Sequence, residues 1–297
     1  MNKKILEKAT QIIQKRKISA ENQALQNKIQ AFEDPQFKNL YQTYVQQMLD
    51  ETKQGKSGDY HAIKTQINSR LKQLDIDSIE PQYFCKKCND TGFENGKYCS
   101  CLVQVINTLL QEQSGFGKLE KFDESNFDIF EDKILMQKLY SKMQAWCDSP
   151  FNKTLIYISG DTGTGKTFLV RCMASKLIEN HHLVCLTSAF AMNQDFLKSY
   201  SCKDVEQKQA LLSKYFDSEV LIVDDLGTEL RQPYVTSNML YQLLSERKNK
   251  HLPTIITTNL DLKDLQEYYD ERVSSRVIDK SSSICLSIKG SDLRLKK

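Results

Sequence analysis

Eight residues, Gly160-Asp161-Thr162-Gly163-Thr164-Gly165-Lys166-Thr167, fit the spacing G-x-x-x-x-G-K-[ST]. Glycines at such spacing let a loop curl until successive backbone N–H groups point inward at phosphate oxygens. The helix that follows adds the positive end of its dipole. In this pattern Lys166 reaches the β- and γ-phosphates and the Thr167 hydroxyl holds Mg²⁺. The flanks are those the chemistry needs, with the apolar run "TLIYIS" before and "FLVRCMASKLIEN" after. A chance glycine-rich turn does not require either flank. A second apolar run, "EVLIVDDLG", ends in adjacent acids. Asp224 is placed beside the metal and Asp225 where a base orients an attacking water. A third run, "PTIITTNL", ends in Asn259, a polar group placed to sense a γ-phosphate and its water. A simple turn start is the plain alternative there.

A different chemistry is encoded at "CKKCNDTGFENGKYCSC". Cys85, Cys88, Cys99 and Cys101 are spaced C-x2-C-x10-C-x-C, which suits a tetrahedral Cys₄ zinc site with no open position, structural rather than catalytic. Glycines 92 and 96 let the intervening loop fold back. The closing C-x-C is tight, so one of Cys99 and Cys101 is allowed to fall outside the ligand set, with His61 as its substitute. The other five cysteines stand singly, mostly among apolar residues, and read as structural or incidental thiols.

These groups need elements to hold them. Residues 1–80 carry apolar residues at three- and four-residue spacing in "ILEKATQIIQKRK", "LYQTYVQQMLDETK" and "HAIKTQINSRLKQL", with "KQGKSGDY" as a break. They read as Gln-rich helices with a thin core. "LVQVINTLLQEQSG" reads as a short helix after the cysteines. From about residue 120, the β-branched runs "TLIYIS", "LVCLTS", "EVLIVDD" and "PTIITTN" alternate with helical segments. The fold class expected is α/β, a parallel sheet with helices on both faces, preceded by a mostly helical zinc-binding region. The boundary is set at 115/116. Lys166 and Asp224 are 58 positions apart, with "LVCLTS" between them in sequence. The spacing resembles that of the ATPases with an additional catalytic acid, and this resemblance implies that the strand separates the loop strand from the acidic strand in the sheet as well.

Composition narrows the class without selecting a partner. Residues 1–120 hold 17 basic and 14 acidic side chains, and residues 121–297 hold 24 of each, too mild an excess to require nucleic acid. No apolar run approaches the roughly 20 residues of a membrane span, and the polar N-terminus lacks a signal core. A cytoplasmic location is expected.

Residues 120–297 resemble the AAA+ ATPases. More narrowly, "LIVDDLGTE", "TTNL", "ERVSSRV" and "GSDLR" are similar to the bacterial replicative helicase loaders of the DnaC/DnaI type and their IstB-like relatives, the transposition helper ATPases. The resemblance implies an AAA+ P-loop fold and ATP hydrolysis with Mg²⁺. It implies that Arg276 reaches the nucleotide of an adjacent subunit, with Arg272 beside it, and that Arg294 acts on nucleotide in its own chain. The zinc segment, "C-x2-C-x-D-T-G-F", is similar to the N-terminal domain of the DnaI-type loaders, which docks on the helicase. The partners implied are a hexameric replicative DNA helicase, single-stranded DNA, further copies of the chain and other primosome proteins. Asp225 departs from the family's usual Glu, which implies slow turnover, with Glu229 available to assist. Rival readings are a transposition helper and an adaptor that binds nucleotide without turnover. Between the second and third strands, Lys198, Lys203, Lys208 and Lys214 accompany Phe196, Tyr200, Tyr215 and Phe216. Core aromatics with solvated lysines are the favoured reading there, and a single-strand contact the weaker one.

Overall fold

The computed structural model describes residues 3–54, 60–114, 116–124 and 127–295. The chain divides into two compact units, residues 10–101 and residues 102–297 together with 1–9. Among the described residues no helix is long and apolar enough to cross a membrane.

The first unit carries the helices read from the sequence: α1 (Lys3–Phe32, which begins in the other unit), α2 (Pro35–Gln54) and α3 (His61–Gln73). Most of the "KQGKSGDY" break lies outside the described residues. The core is thin, as the composition requires: Phe37, Ala31, Ile67, Leu71 and Ile76, rimmed by Phe32, Tyr41 and Tyr44. An ion pair supplements it. Arg70 donates to both oxygens of Asp34 at 2.9 and 2.6 Å, and Asp34 also accepts from the Phe37 N–H at the start of α2. Arg70 and then that N–H hold the Asp34 carboxyl down at about 2. The cysteine segment follows, with a two-residue hairpin of β1 (Phe93–Glu94) and β2 (Lys97–Tyr98). Asn95 and Gly96 turn it with φ of 51° and 76°, the pair of left-handed residues that a tight two-residue turn demands. Then α4 (Ser100–Ser114) begins.

In the second unit α5 (Lys133–Asp148) precedes β3 (Leu155–Gly160) and α6 (Lys166–Glu179). β4 (Val184–Ser188), α7 (Ala189–Ser201) and α8 (Val205–Asp217) lead to β5 (Val220–Leu226). The chain ends with α9 (Pro233–Asn249), β6 (Thr254–Thr258), α10 (Leu262–Tyr268), α11 (Glu271–Ile278) and β7 (Ser283–Ile288). The strands are parallel in the order β4-β5-β6-β3-β7. Successive residues face opposite sides, so each strand feeds two cores. Ile156, Ile158, Ile222 and Ile255 pack with Met143, Leu169, Met173 and Leu177 of α5 and α6. Tyr157, Leu221, Val223 and Ile256 pack with Phe196, Tyr215, Leu243 and Val277 of α7, α8, α9 and α11. The result is a parallel sheet with helices on both faces, the α/β class that the alternating runs led one to expect.

Two sequence expectations need correction. The strand between the loop strand and the acidic strand is β6, "TIITT", whereas "VCLTS" forms β4 at the sheet edge. All these runs are equally apolar and β-branched, so their composition does not rank them across the sheet. The fifth strand, β7, went unrecognised because "SICLSI" mixes buried and exposed positions at the other edge. The buried Arg247 ties the central strands' entries together. It donates to the Tyr215, Ser218 and Pro253 carbonyls at 2.7–2.9 Å and to Thr254 Oγ1 at 2.9 Å.

Candidate functional site

The loop 160–167 joins the C-terminal end of β3 to the N-terminus of α6, where open parallel sheets place their ligands. Lys166 is 6% exposed. Its ammonium donates to the Gly160 and Asp161 carbonyls, both at 2.7 Å, and to Asn259 Oδ1 at 2.8 Å. Burial lowers its pKa, while Asp225 and Asp224 oppose that. Thr164 closes the loop by donating to the Asp161 carbonyl at 2.8 Å. Gly163 has φ 79°, and a Cβ there would lie 1.9 Å from Asp292 Oδ1. The C-terminal segment is docked on the loop at that point, with the Leu293 N–H donating to the Gly163 carbonyl at 3.0 Å.

The acids come into place through an irregularity. On a regular strand Asp224 and Asp225 would point to opposite faces. The register between β5 and β6 runs Val223↔Ile256 and then Leu226↔Thr258, so β5 carries one extra residue. Asp225 has φ 61°, the left-handed conformation of a bulge that re-aims a side chain. Its N–H is taken by Thr257 Oγ1 at 2.8 Å, and the same hydroxyl donates to Asp224 Oδ1 at 2.5 Å. Thr167 also donates to Asp224, at 3.0 and 3.2 Å. Burial raises the Asp224 pKa, and the Thr257 and Thr167 hydroxyls pull against it. Asn259 Nδ2 reaches Asp225 Oδ1 at 3.4 Å. β6, lying between β3 and β5, thus sets Asn259 between the lysine and the second acid.

A cavity of about 690 Å³ opens over this cluster. Its lining includes Thr162, Gly163, Gly165, Lys166, Thr167, Asp225 and Asn259, together with Arg294. Arg294 is folded onto Asp292, its Nε and Nη2 donating at 2.9 and 2.7 Å. The sequence reading missed Thr257, Phe130 and Tyr140, which also line the cavity. Thr257 had a signal, a hydroxyl inside an otherwise apolar buried strand. The two aromatics had none, because they lie far upstream of the loop.

Arg272 and Arg276 are absent from that lining. Both sit on α11 against Tyr241 of α9, with guanidinium carbons 5.4 and 5.2 Å from the ring centre. Arg276 donates to Ser245 Oγ and Tyr241 Oη, each at 3.1 Å, and among the described residues it forms no ion pair. Arg272 pairs with Asp270 at 3.1 Å. Glu229 is not placed to assist Asp225. It is buried, and its carboxylate accepts from the Gly227 N–H at 2.9 Å and from the Tyr269 hydroxyl. On α7 and α8, Phe196 and Tyr215 are fully buried, which supports the core reading. Lys214 pairs with Asp195 at 2.9 Å, while Tyr200 is exposed.

In the first unit the four cysteine sulfurs lie within 4.8 Å of one another. Cys85–Cys99 and Cys88–Cys101 are 3.7 and 3.4 Å apart. A tetrahedral site with Zn–S near 2.3 Å has S–S edges of about 3.8 Å, so the donor set fits. Asp90 supports the knuckle by accepting from the Phe84 and Cys85 N–H groups at 2.8 and 2.9 Å. Burial raises the Cys99 and Cys101 thiols. It also acts on Cys88, but the Gly92 N–H and the three neighbouring thiols bring that group down to about 7. Both Cys99 and Cys101 belong to the cluster, and among the described residues His61 does not.

Comparison with known proteins adds the following. The model of a family described as IstB-like ATP binding protein matches residues 111–297. The replicative helicase loader DnaI of Bacillus subtilis is 25% identical over 114 residues, 38% of this chain and 36% of that protein. The replicative helicase loader DnaC of Escherichia coli strain K12 is 22% identical over 119 residues, 40% of this chain and 48% of that protein. The matches thus span less than half the length of these relatives. A crystal structure of DnaI aligns with TM-score 0.45 and 20% identity, over 59% of this chain and 90% of that one.

Proposed function

The chain belongs to the IstB-like ATP binding protein family, and we propose that it is an ATP-dependent loader of a hexameric replicative DNA helicase. One observation carries the enzymatic half. Lys166, Thr167, Asp225 and Asn259, from α6, β5 and the end of β6, line one cavity, and Thr167 donates to Asp224, while Arg276 stands on α11 outside that lining and, among the described residues, forms no ion pair. In this reading Arg276 is offered to a neighbouring copy, whose hydrolysis site it completes.

In this reading the loop N–H groups and Lys166 hold the β- and γ-phosphates of ATP, with Lys166 exchanging a carbonyl contact for phosphate oxygen. Thr167 and Asp224 hold Mg²⁺, which neutralises charge on the phosphates. Asp225 orients the attacking water and accepts its proton, and Asn259 positions both. Arg294 contacts the phosphates from within the chain, and Arg276 of an adjacent copy stabilises the transition-state charge. Asp225 reaches less far than Glu would, so turnover is slow and depends on assembly, as befits a timed release.

The partner half rests on the two relatives named as replicative helicase loaders. Residues 1–115 dock on the helicase, with the four cysteines holding Zn²⁺ as a structural staple, and residues 116–297 form the ATPase domain. Single-stranded DNA and other primosome proteins act on the assembled ATPase. The test is complex formation between the full chain and the host's replicative helicase, by size exclusion with light scattering, in ATP and in ADP. A stable complex supports the loader. No complex with either nucleotide removes it and leaves the transposition-helper or adaptor reading. Cooperative growth on duplex DNA then marks the helper, and nucleotide binding without single-turnover hydrolysis marks the adaptor.

A further inference from the structure

Glu229 is a buried carboxylate that the proposed chemistry does not use. It is 4% exposed, and among the described residues it forms no ion pair. It holds two elements at once. Oε2 accepts from the Gly227 N–H at 2.9 Å and Oε1 from the Tyr269 hydroxyl. A second strand of contact runs alongside, with the Tyr268 hydroxyl donating to the Glu229 carbonyl at 3.1 Å.

Each end of this bridge leads to a group that matters. Gly227 belongs to the turn that leaves β5, closed by the Thr228 hydroxyl on the Asp225 carbonyl at 2.8 Å. Asp225 is the bulged residue whose side chain lines the cavity. Tyr269 immediately precedes Asp270, whose side chain caps α11 by accepting from the Val273 N–H at 2.9 Å. Arg272 and Arg276 project from that helix onto Tyr241. A carboxylate buried without a cation is costly to leave short of a donor. Neither the Gly227 amide nor the Tyr269 hydroxyl can withdraw from it cheaply, so the turn and the helix move together.

We infer that Glu229 is a positioning residue that couples the Asp225 turn to α11. Contact between Asp225 and the nucleotide of one chain then sets the pose of the arginines that chain offers to its neighbour. The inference rests on the reading that Arg276 acts in trans, and it makes hydrolysis around the assembly cooperative.

The experiment is steady-state ATP hydrolysis against ATP concentration by the assembled full chain, for wild type, Glu229→Gln, Tyr269→Phe, the double variant and Arg276→Ala. Binding of a fluorescent ATP analogue and thermal unfolding are measured on the same samples. The single variants are expected to lose on the order of 10- to 100-fold in kcat, as misplaced catalytic groups do. The Hill coefficient should fall toward one, with analogue affinity within about twofold of wild type because the phosphate loop is untouched. The double variant should be no worse than either single one, since both cut the same link. Tyr269→Phe removes one oxygen and guards against a variant that merely misfolds. Wild-type kcat and Hill coefficient in both single variants, whatever the melting temperature, would overturn the coupling. If Arg276→Ala hydrolyses normally, the trans reading itself has failed and the coupling goes with it. If Arg276→Ala is inactive while Glu229→Gln is normal, only the coupling is lost.

Discussion

Replacing Thr257 with Val keeps the shape of a fully buried β6 side chain and removes one oxygen. That oxygen serves both acids, donating to Asp224 Oδ1 at 2.5 Å and accepting the Asp225 N–H at 2.8 Å. Losing a hydrogen bond to a charged acceptor costs about 1.5–3 kcal/mol, and an unpaired buried N–H adds roughly 1–3 kcal/mol. The two share one atom and do not simply add, so a loss of about 2–4 kcal/mol is expected. For a domain of this size that lowers Tm by about 5–15 °C. A second consequence has a definite sign. Burial raises the Asp224 pKa and the Thr257 hydroxyl is foremost in restraining it, so the variant raises it further. Mg²⁺ needs the ionised carboxylate, so Mg²⁺-dependent binding of a fluorescent ATP analogue should shift its pH profile to higher pH. Thr257→Ser, which keeps the hydroxyl, should restore both properties. Unfolding within about 2 °C of wild type together with an unmoved pH profile would refute the assignment of Thr257 to the two acids.

Other expectations can be checked directly. Arg276→Ala should bind the ATP analogue normally but lose roughly 10³-fold in assembled hydrolysis, as loss of a trans arginine does; normal hydrolysis would contradict the trans role. Cys88→Ser, or a strong chelator, should release zinc and unfold residues 10–101 while the ATP-analogue affinity of the second unit stays within about twofold; metal analysis and proteolysis read this out. Asp34, held at about 2 by Arg70, ionises more readily folded than unfolded. Its stabilisation is therefore present above about pH 4 and lost as pH falls toward 2. Asp34→Asn should flatten that part of the pH–stability curve, measured by denaturant titration.

The glycine-rich loop was readable because its geometry is local: its glycines, Lys166 and Thr167 lie within eight consecutive residues, and the flanking strand and helix are adjacent. The cysteine knuckle was readable for the same reason, down to the turn at Gly96. The position of Asn259, between Lys166 and Asp225, followed from its place at a strand end. Nothing local distinguished β4 from β6. Glu229 looked like a spare catalytic acid because it sits four residues after Asp225 in sequence. The turn at Gly227 carries it instead beneath Tyr269, forty residues away.

Spacing and residue type alone settled the chemistry that was available: a P-loop, a pair of acids, a Cys₄ knuckle and arginines one helical turn apart. They settled it because those features act through backbone conformations only a few residues long. The tertiary structure decided which of these groups share a cavity. Strand order depends on hydrogen-bond ladders between segments roughly a hundred residues apart, and buried parallel strands carry nearly interchangeable apolar sequences. Only the ladder shows that β6 lies beside β3 and that β5 bulges at Asp225. Only packing shows that Arg276 rests on Tyr241 and not in its own chain's site.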